Sequence, residues 1–167
     1  MNIEIERKFI VTGEFKSMAF AHSHIEQGYF ETAPGRTVRV RIRDEKAYLT
    51  IKGPSNQDGL SRYEFETEVS LEDGRHLMDL CRPGRIEKVR WLVHDNDGKH
   101  TIEVDEFEGD NAGLIMAEIE LGSEDEAYNK PNFLGMEVTG DRRFYNNHLM
   151  RYPYRLWGKA FEAEELK

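Results

Sequence analysis

The chain repeats one pattern often enough to restrict its fold. Segment after segment alternates with a two-residue period, and each time one face is apolar and the other almost purely ionic. IEIERKF near the start puts Glu4, Glu6 and Lys8 on one side and Ile3, Ile5 and Phe9 on the other. TVRVRIR sets Arg39, Arg41 and Arg43 against Val38, Val40 and Ile42, and KAYLTIK sets Tyr48, Thr50 and Lys52 against Leu49 and Ile51. YEFETEV opposes Glu64, Glu66 and Glu68 to Tyr63, Phe65 and Val69, and KVRWLV opposes Lys88 and Arg90 to Val89, Trp91 and Val93. Glu103 and Asp105 then oppose Ile102 and Val104, and Glu118 and Glu120 oppose Ala117, Ile119 and Leu121. A period of two is that of a β-strand with one face buried. With the run HIEQGYFET this makes eight strands, mostly joined by hairpin-like links: Asp44-Glu45 between the third and fourth, and DNDGK between the sixth and seventh. The expectation is a mainly β, α+β fold, an eight-stranded antiparallel sheet closed into a barrel.

Helical signals are few. SLEDGRHLMDLCR opens with Ser70 as N-cap and carries Glu72 and Asp73 in its first turn. SEDEAYNK pairs Ser123 with Glu126 in capping-box spacing. DRRFYNNHLMRY reads as a last helix that Pro153 ends. Residues 1–152 form one domain, and residues 153–167 read as a polar C-terminal tail.

A solvated sheet face accounts for any one ionic strand. The ensemble needs more, because acids and bases come in blocks of one sign: Glu-Glu, Arg-Arg-Arg, Glu-Glu-Glu, Lys-Arg, Glu-Asp, Glu-Glu. Like charges on one strand repel unless opposite blocks, cations or an anionic ligand face them. Alternate arginines suit the forked gripping of phosphate oxygens. The barrel is therefore expected to be lined by charge, with its apolar faces turned outward beneath helices. Such a lumen stays wet and takes polyanions and divalent metals.

Composition removes other classes. A net charge of −9 in 167 residues, with a pI of about 5.2, argues against a nucleic-acid or anionic-membrane partner. The one cysteine, Cys81, allows no internal disulfide and no multi-cysteine metal site, and reads as a buried thiol. His22 and His24 lack metalloprotease spacing, and neither a Walker loop nor a dinucleotide-binding glycine pattern is present. Charge from residue 4 onward is unlike a secretory signal, and no apolar run reaches the length of a membrane span. A cytoplasmic protein, monomeric or homodimeric, is expected.

The charged positions resemble those of the CYTH domain, the triphosphate tunnel metalloenzymes. Glu4-x-Glu6-x-Lys8 is similar to the family's ExExK signature. Arg39-x-Arg41, Lys52 after LTI, Glu64-x-Glu66, Lys88-x-Arg90, Asp105 and Glu118-x-Glu120 follow in the family's order, and EVTGDRRFYNN resembles a segment of its short bacterial members. The resemblance spans residues 2 to 152. It implies an eight-stranded tunnel that binds a linear triphosphate and hydrolyses it with Mg2+ or Mn2+, most like the bacterial inorganic tripolyphosphatases. Glu4, Glu6, Asp105, Glu118 and Glu120 would hold metal, and Lys8, Arg39, Arg41, Lys52, Lys88 and Arg90 the substrate. Lys8, with Glu4 and Glu6, would act at the scissile phosphate, and Glu64 and Glu66 would support the basic residues. Alternatives on the same fold are a nucleoside or thiamine triphosphatase and a class IV-type adenylate cyclase. A non-catalytic polyphosphate-binding module is the alternative outside enzymes.

Overall fold

The computed structural model describes residues 3–166. Nine strands run in chain order: β1 (Ile3–Val11), β2 (Ala19–Tyr29), β3 (Thr37–Arg43), β4 (Lys46–Lys52), β5 (Ser61–Val69), β6 (Ile86–His94), β7 (Thr101–Phe107), β8 (Ile115–Glu120) and β9 (Leu134–Glu137). The sheet order is β5-β4-β3-β2-β6-β7-β8-β1, and pairing of β5 with β1 closes it. Every pairing is antiparallel. The expected eight-stranded barrel is present. One edge of β1 is shared: Ile3 to Ile5 pair with β5, and Phe9 to Val11 pair with β9.

β9 escapes the alternation rule because LGME is too short to show a period. Its sequel has a distinct role. Thr139 Oγ1 accepts from the Lys8 amide at 2.9 Å and donates to Glu137 at 2.6 Å, and the Val138 amide donates to the Lys8 carbonyl. The EVT segment thus anchors the backbone of β1 where its lysine projects.

Helix α1 (Leu71–Leu80) starts at Ser70, whose hydroxyl accepts from the Asp73 amide at 3.0 Å. It lies on the outer side of β3 and β4, with Met78 and Cys81 packed on Val40. The approach is close enough that a Cβ at Gly74 would sit 2.3 Å from that of Ala47, so glycine is required there. Elsewhere the outer wall is covered by irregular chain rather than helix. Phe15, Phe133 and Leu134 close over Phe9, Val93, Ile102, Val104, Ala117 and Ile119.

Two expectations are corrected. SEDEAYNK forms turns, not a helix: Glu126 does reach back, but to the Gly122 amide and to His100, and Pro131 follows before any apolar period is established. Beyond Pro153 the chain is not a loose polar tail. It makes a 3-10 turn (Tyr154–Leu156) and helix α3 (Gly158–Glu164), after the short α2 (Asn146–Arg151). Tyr154 and Phe161 are buried in a cluster with Phe144, Leu149 and Met150. That cluster includes Ile10, Tyr29, Ile86, Phe107 and Met116, which share the lumen-facing parity of their strands. The lumen is therefore ionic in its middle and apolar at one end, where the C-terminal segment packs.

Candidate functional site

The ionic faces converge on one cavity of about 680 Å³. Among its lining residues are Glu4, Glu6, Lys8, Arg39, Arg41, Lys52, Glu64, Glu66, Arg90, Glu118 and Glu120. Lys88 and Asp105 lie beneath this surface, 0% and 2% exposed. All thirteen sequence-predicted positions therefore meet in one barrel interior, but at two depths.

Cross-strand register explains the pattern of charge. β1 and β8 place Glu6 opposite Glu120 and Lys8 opposite Glu118, and β7 and β8 place Glu103 opposite Glu118. Like charges directly opposite are unfavourable unless something bridges them. Burial, reinforced by Glu118, pushes the Glu6 carboxyl up to about 8 against the pull of Lys8. Burial and the charges of Glu4, Glu103 and Glu118 also raise Glu120. Glu118 goes the other way: burial would raise it, but Lys8 and Arg90 outweigh burial and hold it low. Burial alone would lower the Lys8 ammonium, yet Glu6 and Glu118 keep it above its ordinary value. Lys8 Nζ stands 3.6 Å from Glu6 Oε1 and 4.5 Å from the centre of the Tyr145 ring.

The opposite wall is basic. Arg41 donates from Nε to Gln27 at 2.7 Å, and Gln27 donates to the Tyr29 hydroxyl at 2.8 Å. Burial and the neighbouring Arg39 and Arg90 charges lower Arg41 to about 9. Arg39 donates to the Thr50 hydroxyl at 3.1 Å and to Glu66 at 3.4 Å, and Thr50 donates to Glu66 at 2.8 Å. Lys52 bridges Glu4 at 2.9 Å and Glu64 at 3.3 Å. Burial and a carboxyl contact with Glu4 push Glu64 up to about 7. Burial would raise Glu4 too, but Glu64, Lys52 and Arg62 hold it well below the carboxylate range.

Asp105 differs from the other acids. Oδ1 accepts from Arg90 Nε at 2.8 Å, and Oδ2 accepts from Arg90 Nη2 at 2.9 Å and from Lys88 at 2.7 Å. The sequence groups Asp105 with the metal carboxylates, but both its oxygens are already engaged in the basic floor. Burial would lift its pKa, and Arg90 with Lys88 overrides that. Burial with Arg90 and Arg41 draws Lys88 down to about 7, Asp105 opposing.

Sequence reasoning missed several lining residues. Arg62 shares parity with Glu64 and Glu66 and donates to Glu4 at 3.4 Å, so a complete parity reading finds it. Tyr145, which faces both Lys8 and Arg62, and Arg36, Arg82 and Arg142 come from connections and turns with no period to reveal them, and Arg151 from the last position of α2.

A closed antiparallel barrel that opposes an arginine and lysine wall to a glutamate wall defines a receptor for a compact polyanion accompanied by cations. The chain belongs to the CYTH domain family, whose model matches residues 2–145. It is 43% identical over 157 residues to an inorganic triphosphatase of Acetivibrio thermocellus, covering 93% of this chain and 97% of that one. An inorganic triphosphatase of Nitrosomonas europaea is 33% identical over 154 residues, 87% of this chain and 95% of that one. Among solved structures, that of an inorganic triphosphatase superposes with a TM-score of 0.63 at 30% identity, covering 88% of this chain and 93% of that one. No described helix is long and apolar enough to cross a membrane.

Proposed function

We propose that the chain is a divalent-metal-dependent triphosphatase that cleaves inorganic tripolyphosphate to pyrophosphate and phosphate. The observation that carries this reading is the division of one lumen into two opposed charged walls. The residues fit a hard cation: burial, with the charges of Glu118 and Glu4, raises both Glu6 and Glu120, a crowding of carboxylates that Mg2+ or Mn2+ would relieve through oxygen ligands alone. Glu6, Glu118 and Glu120 would hold it, with Glu4 beside them on Lys52 and Arg62. When bound, a divalent cation supplies charge neutralisation at phosphate oxygens and activation of an in-line water.

The remaining work belongs to the chain's own side chains. Arg39, Arg41, Lys52 and Arg90 bind the phosphate oxygens, and Arg62 extends that wall. Gln27 orients Arg41, Asp105 with Lys88 orients Arg90, and Glu64 and Glu66 hold Lys52 and Arg39 in place. Lys8 is the cation of the acidic wall, opposite Glu118 and 3.6 Å from Glu6. Its ammonium, charged beside Glu6 and Glu118, stabilises the leaving oxygen electrostatically.

A second reading, a nucleoside triphosphatase, draws on Asn146, Asn147 and Tyr152, which line the cavity with groups able to contact a base. The specificity constants for tripolyphosphate, ATP and thiamine triphosphate, each with Mg2+ and with Mn2+, separate the two. Tripolyphosphate should lead by at least about tenfold, the factor carried by ~1.4 kcal/mol of transition-state binding. A lead for ATP transfers the assignment to the nucleotide. No metal-dependent release from any of the three overturns hydrolysis itself.

A further inference from the structure

The turn between β6 and β7, DNDGKH, carries a second cluster of metal-ligating types outside the lumen's charged walls. Gly98 adopts φ 69°, which closes the turn with its amide on the Asp95 carbonyl at 3.1 Å. Asp97 uses Oδ1 to accept from the Lys99 amide at 2.7 Å and the His100 amide at 3.3 Å. That leaves Oδ2 facing His100 Nδ1 at 3.0 Å. Asp95 Oδ2 lies 3.7 Å from the same nitrogen. One ligand atom each from Asp95, Asp97 and His100 fall within 4.8 Å of one another. Two ligand atoms at about 2.1 Å from one ion stand roughly 3.0–3.5 Å apart, so these spacings suit a shared cation after small adjustments.

The independent pointer is Asp95. Its side chain is fully buried, and Oδ1 has no hydrogen-bond partner. The other oxygen receives only a long bond from the Asn129 amide, 3.3 Å. A buried carboxylate with an empty oxygen is costly unless a cation satisfies it. Protonating His100 gives Asp97 and Glu126 a donor each but leaves Asp95 Oδ1 without one.

The far side of the ring completes the design. His100 Nε2 lies 2.5 Å from Glu126 Oε2, and Glu126 Oε1 is fixed by the Gly122 amide at 2.9 Å. Without a cation Nδ1 is hydrogen-bonded to Asp97 Oδ2; with one bound, an Nε2–H donating to Glu126 would leave the Nδ1 lone pair free for it beside Asp95 and Asp97. A carboxylate behind a ligating histidine is the usual means of setting that tautomer. Lys99, His100, Glu120, Glu126 and Ala127 border a cavity, so the histidine side of the cluster is open to solvent.

We propose that Asp95, Asp97 and His100 form a binding site for a first-row transition dication of the Zn2+ type, with Glu126 as the carboxylate that orients the histidine. The mixed nitrogen and oxygen set distinguishes it from the all-carboxylate set of the lumen. Bound there, the ion staples the β6–β7 turn to the segment that carries Glu126.

The test uses the full chain, stripped with chelator and dialysed against Zn2+, with Glu6→Gln/Glu120→Gln as background to disable the lumen. That background should retain one Zn2+ per chain, and adding His100→Gln or Asp97→Asn should abolish it. The unaltered chain gives a second reading free of folding effects. In 15N spectra of its imidazoles, Zn2+ should fix one ring as the Nε2–H tautomer with Nδ1 coordinated, a signal missing from His100→Gln. Equal Zn2+ content with and without His100, or no coordinated imidazole in the unaltered chain, overturns the proposal.

Discussion

Replacing Glu6 by glutamine should stabilise the metal-free protein while disabling it. In the empty lumen the Glu6 carboxyl is pushed up to about 8 by burial and by Glu118. Its folded pKa lies above its unfolded one, so the folded state binds the extra proton between the two. Stability is then lost as pH rises from the unfolded value toward the folded one. Integrating that difference gives a penalty of about 1 kcal/mol at pH 5 and about 4 kcal/mol at pH 8. Glutamine keeps the shape and removes the titration. In chelator, Glu6→Gln should therefore match the parent within about 1 kcal/mol at pH 5 and exceed it by roughly 3 kcal/mol at pH 8, a shift of over ~1 M in urea midpoint. Saturating Mn2+ should reverse the order, because the parent alone keeps its full ligand set, and tripolyphosphate turnover by the variant should fall by about 100-fold or more. Equal stability of the two proteins at pH 8 in chelator would refute the argument from crowded carboxylates, and undiminished turnover would remove Glu6 from the metal set.

Other perturbations follow from the same geometry. Arg41→Ala removes a charged donor worth about 1.5–3 kcal/mol, so KM for tripolyphosphate should rise roughly 10- to 100-fold; an unchanged KM counts against its contact with phosphate. Asp105→Asn leaves Lys88 and Arg90 poorly paired in the floor and should cost about 3–5 kcal/mol by urea unfolding, far more than a metal ligand at the lumen surface would. Phe161→Ala removes a buried ring packed 5.2 Å from Phe144, at a cost of about 3–5 kcal/mol and a Tm drop of about 10 °C. A Tm unchanged in that variant would mean that the segment beyond Pro153 is dispensable after all.

The strands could be read because their alternation is a local property that the barrel preserves. Arg39, Arg41, Glu118 and Glu120 point inward for the same reason that Val40 and Ile119 point outward. What parity does not carry is depth. Lys88 and Arg90 share a face and a sign, yet Lys88 is sealed under Asp105 while Arg90 reaches the cavity. The pairing of both Asp105 oxygens with Lys88 and Arg90 is likewise visible only in three dimensions. The misread turn at residues 123–130 has another cause. Ser123 and Glu126 carry genuine capping chemistry, but here Glu126 is recruited by His100, a partner 26 positions away. The C-terminal segment was legible in part: Tyr154, Trp157 and Phe161 recur at helical spacing, a signal masked by the surrounding glutamates and lysines. Residues such as Arg36, Arg82 and Tyr145 reach the lumen from connections, where no period exists to read.

The central claim is that one lumen holds triphosphate on its basic wall and the cation on its acidic wall. A crystal of the chain grown with Mn2+ and an imido analogue of tripolyphosphate tests it directly. Anomalous scattering at the manganese edge should peak among Glu6, Glu118 and Glu120, with phosphate oxygens on Arg39, Arg41, Lys52 and Arg90. Manganese bound away from those three glutamates, or a triphosphate seated outside the barrel, would contradict it.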